Sequence, residues 1–586
     1  MSTAILTGPP VPGSSLEGEL RSLGFDVRSA ADPSEAAKLL DQAPAGERVA
    51  LVDPRFVGHV HSLRLGLTDP RFPAAAVTGA LTAQPEARAA LSRAAHTAPG
   101  SPDEIAAALD AEGIAVQRPE LGSLVAAVPA DTASRTEAER AVAAVDDEAI
   151  RLRTAVKSRD GFFTTYCISP YSRYIARWCA RRGLTPNQVT TASLITALIA
   201  AGCAATGTRG GYVAAGVLLL LSFVLDCTDG QLARYSLQYS TMGAWLDATF
   251  DRAKEYAYYA GLALGAIRGG DDVWALALGA MVLQTCRHVV DFSFNEANHD
   301  ATGNTSPTAA LSDKLDSVGW TVWVRRMIVL PIGERWAMIA VLTAVTTPRI
   351  VFYALLIGCA FAACYTTAGR VLRSLTRRAT RTDRAAQALA DLADSGPLAE
   401  FVAQAPSKGR SPAPLVAGFA AVLLLATVCV APFGDWRTVV VAVAYALLAG
   451  FAVSRPLKGV LDWLVPPIFR IAEYCTILVL AVRADVAGAL PAAFGLVAAV
   501  AYHHYDTVYR IKGGTGAPPN WLVRAVGGHE GRTLLVVALA TLSTSVDFPL
   551  ALTVMAVVIA LVVLAESIRF WVSSGAPAVH DEGETA

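Results

Sequence analysis

Asp226-Cys227-Thr228-Asp229-Gly230-Gln231-Leu232-Ala233-Arg234 closes an apolar run over 213–225. After eight intervening residues Gly243 opens a second apolar run, which carries Asp247 and Asp251. The length of these runs predicts two consecutive helices. On a helix Asp226 and Asp229 stand one turn apart, as do Asp247 and Asp251, so each pair shares a face. Gly230, Ala233 and Gly243 keep that surface small enough for a neighbouring helix or a ligand to approach. A carboxylate inside a membrane costs a few kcal/mol. Four facing carboxylates also repel one another unless cations sit between them. Hard divalent cations with oxygen ligands answer that need, Mg²⁺ (or Mn²⁺) first. Two such ions hold a pyrophosphate and stabilise charge on its attacking and leaving oxygens. No Ser/His/Asp or Cys/His nucleophile arrangement accompanies the carboxylates, which favours direct displacement. The competing reading is a cation-coupled transporter, with the same carboxylates carrying the cation.

Composition supports a membrane setting. The chain has 586 residues, 53% hydrophobic and only 17% charged, with a mean hydropathy of +0.42. A soluble domain carries about 25% charged residues. Lys plus Arg is 49 against 50 Asp plus Glu, so no basic excess points to nucleic acid. Nine scattered cysteines without a CxxC pair argue against a zinc site or a disulfide framework. The first fifteen residues lack a basic region before an apolar stretch, so a signal peptide is not expected.

Outward from the acidic stretch, apolar spans fall at 189–205, 213–225, 244–267, 273–290, 336–347 and 350–368. Arg173, Arg177, Arg181 and Arg182 precede the first span, and Arg370, Arg373, Arg377, Arg378, Arg381 and Arg384 follow the sixth. By the positive-inside rule both flanks are cytoplasmic, which requires an even number of crossings. Residues 169–182 interleave arginines with Tyr171, Tyr174, Ile175 and Trp178, the pattern of a helix lying in the headgroup layer. Short apolar runs at 4–6, 25–27, 49–52 and 74–77, with helical patterns at 33–42 and 85–94, predict an α/β domain with a largely parallel sheet. The loop after its first run holds Pro9, Pro10 and Pro12, which lack the N–H groups that cradle phosphate. Residues 133–156 read as a charged helical connector. No short-period repeat is visible.

The spacing D-x2-D-G-x2-A-R-x8-G-x3-D-x3-D, met from Asp226 to Asp251, resembles the CDP-alcohol phosphotransferase (phosphatidyltransferase) family. Leu184-Thr185-Pro186-Asn187-Gln188-Val189-Thr190 is similar to that family's entry into its first membrane helix. The resemblance covers about 155–380. It implies a six-helix membrane domain that moves a phospho-alcohol from a CDP-alcohol, such as CDP-diacylglycerol, onto an acceptor hydroxyl and releases CMP. It also implies that Asp226, Asp229 and Asp247 bind metal. Asp251 completes the second metal site or acts as the catalytic base. Asp229, Gly230, Ala233, Arg234, Gly243 and Asn187 would form the nucleotide site. Lys157-Ser158-Arg159-Asp160-Gly161-Phe162-Phe163 is similar to the linker of fused enzymes that carry a nucleotidyltransferase domain in front. The N-terminal domain would then be a degenerate relative, since no G-x-G-x-R loop follows its first strand.

Near the carboxylates, Arg287 with His288, Lys314, Arg325, Arg326 and Arg335 are the candidates for an acceptor carrying phosphate, because the guanidinium fork matches phosphate oxygens. A polyol or polyol phosphate is expected, inositol or its phosphate ahead of glycerol phosphate. A second apolar block has runs at 415–430, 439–453, 468–482, 490–501, 534–542 and 550–572. Glu473 lies inside one of them and is expected to pair with Arg470 or with an arginine elsewhere in the block. His503 and His504 point to different helical faces and do not build one site. The bland reading of this block is packing and dimerisation; the sharper one is a lipid or acceptor portal.

The expected organisation is multi-domain. It comprises a cytoplasmic, non-catalytic α/β domain over 1–150, an all-α membrane domain of six transmembrane helices over 151–382 and a linker over 383–413. A second helical membrane block over 414–575 and an acidic tail over 576–586 follow. Expected partners are the CDP-alcohol donor, the acceptor, membrane lipids and a second copy in a homodimer, with no nucleic acid. The expected setting is the plasma membrane with the active site on the cytoplasmic side.

Overall fold

The structure, a computed structural model, describes residues 2–97, 100–157, 160–301, 323, 327–376, 379–404 and 412–573. Two compact units divide the chain. One comprises residues 1–158, 169–189 and 227–240; the other comprises 159–168, 190–226 and 241–586.

The first unit is built on a six-stranded sheet. Its strands are β1 (Ser2–Leu6), β2 (Phe25–Ser29), β3 (Arg48–Val52), β5 (Ala74–Val77), β6 (Ala80–Ala83) and β7 (Val116–Gln117), in the order β2-β1-β3-β6-β5-β7. A separate ribbon pairs β4 (Val57–Gly58) with β8 (Ala126–Ala127). β1 runs parallel to β2 and β3, and β5 parallel to β7, but β6 is antiparallel to both its neighbours. The sheet is therefore mixed rather than largely parallel. The reversal is made by the two-residue turn Thr78-Gly79, where Gly79 adopts φ +77°, a conformation that needs no Cβ. Helices α1 (Leu16–Ser22), α2 (Pro33–Gln42), α3 (Val60–Leu67), α4 (Arg88–Thr97) and α5 (Pro102–Ala111) flank the sheet. Ile5, Leu51, Leu81, Leu91 and Leu109 meet in its core.

The charged connector forms α6 (Thr132–Ala143) and α7 (Asp147–Thr154), followed by the arginine- and aromatic-rich α8 (Ser169–Arg181). Tyr171, Tyr174 and Trp178 stand exposed on α8, as a headgroup-layer helix requires. In this unit the last turn of α10 (Arg209–Ser236) is held from two sides. Arg151 of α7 stacks 3.6 Å from the Tyr235 ring centre and donates to the Tyr235 carbonyl at 2.7 Å. Ser172 of α8 donates to Gln231 at 2.8 Å.

The second unit is helical. Between 186 and 376 come α9 (Pro186–Ala205), α10, α11 (Thr241–Arg268), α12 (Trp274–Asn298), α13 (Ile332–Val345) and α14 (Pro348–Thr376). The stretch read as a linker instead folds in large part into α15 (Asp383–Ala393) and α16 (Pro397–Ala403). Ala385, Leu389 and Leu392 repeat at helical spacing and bury one face of α15. Then follow α17 (Ala413–Val430), α18 (Trp436–Ala452), α19 (Val465–Arg483), α20 (Ala489–Lys512), α21 (Asn520–Ala525), α22 (Gly528–Thr541) and α23 (Phe548–Ser573). Among the described residues six helical segments are long and apolar enough to cross a membrane: α9, α10, α14, α17, the stretch 462–483 that contains α19, and α23. α11, α12 and α20 match them in length but carry more charge. Ile357, Phe361, Leu415, Phe419, Val422 and Leu561 stay exposed around the outside. That belt is stable in hydrocarbon and not in water.

Gly261 and Gly265, one turn apart, bring α11 onto α9. A Cβ on either would lie 2.4 Å from the Ala201 carbonyl oxygen or 2.1 Å from that of Ala204. Small residues at such a crossing let backbones pack without bulky knobs. The close approach fixes the helix that carries half of the acidic motif.

Candidate active site

α10 presents Asp226 and Asp229 one turn apart, and α11 presents Asp247 and Asp251. Oxygens of Asp226, Asp229 and Asp247 all lie within 4.8 Å of one another. Three convergent carboxylates are a hard-oxygen donor set, the chemistry Mg²⁺ and Mn²⁺ prefer. The residues present therefore fit a divalent ion.

Asp251 is engaged differently. Its carboxylate Oδ1 forms an ion pair with the Lys254 ammonium at 2.8 Å. Lys254 also donates to Asp226 and, at 3.2 Å, to the Ser193 hydroxyl of α9. Ser193 in turn donates to the Ser222 carbonyl of α10 at 2.9 Å. Lys254 is 1% exposed. A buried ammonium is tolerable only with such partners, and here it offsets part of the repulsion between Asp226 and Asp251. Sequence reading passed over Lys254. Its signal was present: a lysine inside an apolar helix, one turn beyond Asp251.

Several site expectations change. Arg335 does not reach for an acceptor. Its guanidinium is 3% exposed and is committed to Glu255, at 3.1 Å from Nε and 3.2 Å from Nη2. Glu255 also accepts from Arg252 at 3.0 Å. Arg335 thus shares Glu255 with Arg252. Arg234 donates from Nε to the Ala155 carbonyl at 2.6 Å, so its Nε–H braces the end of α10. A Cβ on Gly230 would sit in ordinary contact, 3.5 Å from the Arg234 guanidinium nitrogens. Ala233 and Asn187 are half-buried, with Asn187 at the start of α9. Gly243 lies in the first turn of α11.

Arg287 remains available. It donates to the Val329 carbonyl from Nη2, while its buried Nη1 has no hydrogen-bond partner among the described residues. His288 packs on Tyr505 with ring centres 4.5 Å apart. Lys314, Arg325 and Arg326 lie outside the described residues. In the second block Glu473 does pair with Arg470, at 2.9 Å, and also with Arg532. His503 donates to or accepts from Asp394 at 3.1 Å, while both ring nitrogens of His504 lack a hydrogen-bond partner among the described residues. The two histidines do not converge.

A family model described as CDP-alcohol phosphatidyltransferase matches residues 183–364. A model for a family of unknown function, DUF5941, matches residues 383–586. The chain is similar to a phosphatidylinositol phosphate synthase of Streptomyces avermitilis, 32% identical over 130 residues, which is 21% of this chain and 51% of that protein. It is similar to an archaetidylinositol phosphate synthase of Pyrococcus horikoshii, 30% identical over 113 residues, 19% of this chain and 58% of that protein. A bifunctional IPC transferase and DIPP synthase of Rubrobacter xylanophilus is 43% identical over 84 residues, 14% of this chain and 18% of that protein. The chain thus spans about half the length of the first two and less than a fifth of the third.

Proposed function

We propose, from the membership of residues 183–364 in the CDP-alcohol phosphatidyltransferase family, that this chain is an integral membrane transferase. It moves the phospho-alcohol of a CDP-alcohol onto the hydroxyl of a polyol phosphate and releases CMP. CDP-diacylglycerol is the donor class and an inositol phosphate the acceptor class that the names of the relatives favour. The single observation that carries the reading is the convergence of Asp226, Asp229 and Asp247, with Asp251 held beside them by Lys254.

Asp226, Asp229 and Asp247 would hold the divalent metal. That metal, when bound, neutralises the pyrophosphate oxygens and stabilises charge on the leaving group. The chain's own residues do the rest. Lys254 holds the Asp251 carboxylate through an ion pair. Asp251 accepts the proton of the acceptor hydroxyl as its oxygen bonds to the phospho-alcohol phosphorus. The bond from that phosphorus to the bridging oxygen breaks, and CMP leaves with the electron pair. Arg287, buried in the middle of α12, is the acceptor-phosphate candidate. A cation-transport reading is less apt, because the Lys254 ammonium already occupies the gap between Asp226 and Asp251.

The α/β domain serves as a non-catalytic regulatory or assembly element, and the active site faces the cytoplasm. The test is CMP release by the purified full chain in lipid with CDP-diacylglycerol, inositol phosphate and Mg²⁺. Asp247→Asn should abolish it. Asp251→Asn should cost about 10²–10⁴-fold, the usual worth of a general base. Full activity in either variant, or in excess chelator, overturns the reading.

A further inference from the structure

Two buried ion clusters in the helical unit share one Arg–Glu–Arg frame; in the second, Asp394 also accepts from Arg470 at 2.9 Å and from Arg532 at 2.7 Å. In the first, Glu255 of α11 accepts from Arg252 Nη1 on Oε2 at 3.0 Å and from Arg335 Nη2 on Oε2 at 3.2 Å, and its Oε1 lies 3.1 Å from Arg335 Nε as an ion pair. In the second, Glu473 of α19 accepts Arg470 Nη1 on Oε2 at 2.9 Å, Arg532 Nε on Oε1 at 2.5 Å and Arg532 Nη2 on Oε2 at 3.2 Å. All six residues are fully or nearly buried. In each triad the inner arginine lies three residues before the glutamate, and the outer arginine opens a fourteen-residue helix, α13 or α22.

The sequence around the triads repeats in step. Trp245, Arg252, Glu255 and Tyr256 recur as Trp463, Arg470, Glu473 and Tyr474, a shared W-x6-R-x2-E-Y. Ser236, at the end of α10, recurs as Ser454 at the same spacing. The helix order then matches throughout: α9 to α14 correspond to α17, α18, α19, α20, α22 and α23. α12 and α20 have 25 and 24 residues. The entry loops match as well. Glu334, just before Arg335, accepts the backbone N–H of Phe163 at 3.3 Å. Glu530, two residues before Arg532, accepts those of Gly396 and Ala399 at 3.0 and 3.1 Å.

We infer that residues 394–573 are a second copy of the membrane fold of residues 160–376, emptied of its chemistry and kept as a built-in partner. At the shared spacing the positions of Asp226, Asp229, Asp247 and Asp251 are Ala444, Leu447, Val465 and Phe469. The position of Lys254 is Ala472. Carboxylates and their counter-ion are absent together, while the triad that shapes the fold remains. Calling the lost residues catalytic rests on the function proposed above; the duplication does not.

The two copies face each other through corresponding elements. α12 meets its counterpart α20 through Phe292 and Tyr509, with ring centres 6.5 Å apart. Trp245 stacks on Trp571 at the end of α23, at 6.1 Å. Its counterpart Trp463 donates to Ser374 at the end of α14, at 3.0 Å. Each tryptophan thus reaches the last helix of the other copy. That reciprocity is what an isologous two-fold contact produces. An even number of crossings in the first copy returns the chain to its starting side, so the second copy inserts with the same orientation.

The test uses the full chain in lipid nanodiscs. An experimental density map should superimpose Trp463, Arg470, Glu473 and Arg532 on Trp245, Arg252, Glu255 and Arg335. Native mass spectrometry should find one chain per particle. Phe292→Cys combined with Tyr509→Cys should cross-link with a short bifunctional reagent into a single-chain band. Two singly substituted chains mixed together should give no cross-link. A map in which the triads fail to coincide, or a two-chain cross-link between the single variants, overturns the inference. CMP release enters none of these readouts, so its failure would count against the proposed reaction alone. If the cysteine pair prevents folding, the unmodified chain's map and mass decide.

Discussion

Lys254 is where the site's electrostatics concentrate. It bridges Asp226 and Asp251, and without it two nearby carboxylates face each other in a low-dielectric setting. Lys254→Met should therefore lower the thermal stability of the metal-free protein, and added Mg²⁺ should restore more of it than in the parent. Equal Mg²⁺ shifts in both proteins would deny the lysine this role. In the α/β domain, burial and the neighbouring Arg151 and Arg64 push the His61 pKa down to about 4. The unfolded chain binds a proton near pH 6.5 and the folded one does not. Stability should thus be complete above pH 6.5 and fall as the pH drops toward 4, by roughly 3 kcal/mol at most. Hydrogen exchange in β3 and α3, corrected for intrinsic rates, should show that loss, and His61→Phe should flatten it.

At the scale of elements, α10 and α11 set the active-site geometry and α7 and α8 brace the end of α10. The helical periodicity of 169–182 was legible because arginines and aromatics alternate around one helix. The fold of 383–404 was not, because alanine-rich polar sequence suits both a linker and a helix whose narrow apolar face finds a partner. Topology can be tested on these elements. Thr154→Cys at the end of α7 and Gln387→Cys on the exposed face of α15 should label with a membrane-impermeant maleimide from one side of the membrane only, the same for both. Labelling from opposite sides would mean an odd number of crossings between them.

For the whole molecule, the α/β domain is expected to add no second reaction. The three prolines after β1 leave few N–H groups for a phosphate, and Ser14 turns its N–H back to the Val11 carbonyl at 3.1 Å. Full-length protein given CTP, Mg²⁺ and inositol phosphate should release no pyrophosphate. Steady release would make the protein bifunctional. The inferred duplication gives the second helical block a place in this scheme: it covers the α11 and α12 faces without contributing carboxylates.

By itself the sequence determined the acidic motif, its placement at the ends of two helices, and the likeness to a transferase family. Fixed spacing on a helix dictates which side chains share a face, and charge inside an apolar run has few meanings. It also held the α/β character of the first domain, though not the reversed β6, which depends on a glycine turn and on strand pairing. Only the tertiary structure decided which cations the carboxylates meet. Lys254 and Arg335 lie on apolar helices from which several partners were reachable, and packing selected Asp226 with Asp251 for one and Glu255 for the other. The second block was opaque for the same reason. Five matching residues among so many apolar ones are a faint signal until two buried glutamates are each seen between two arginines drawn from matching helices.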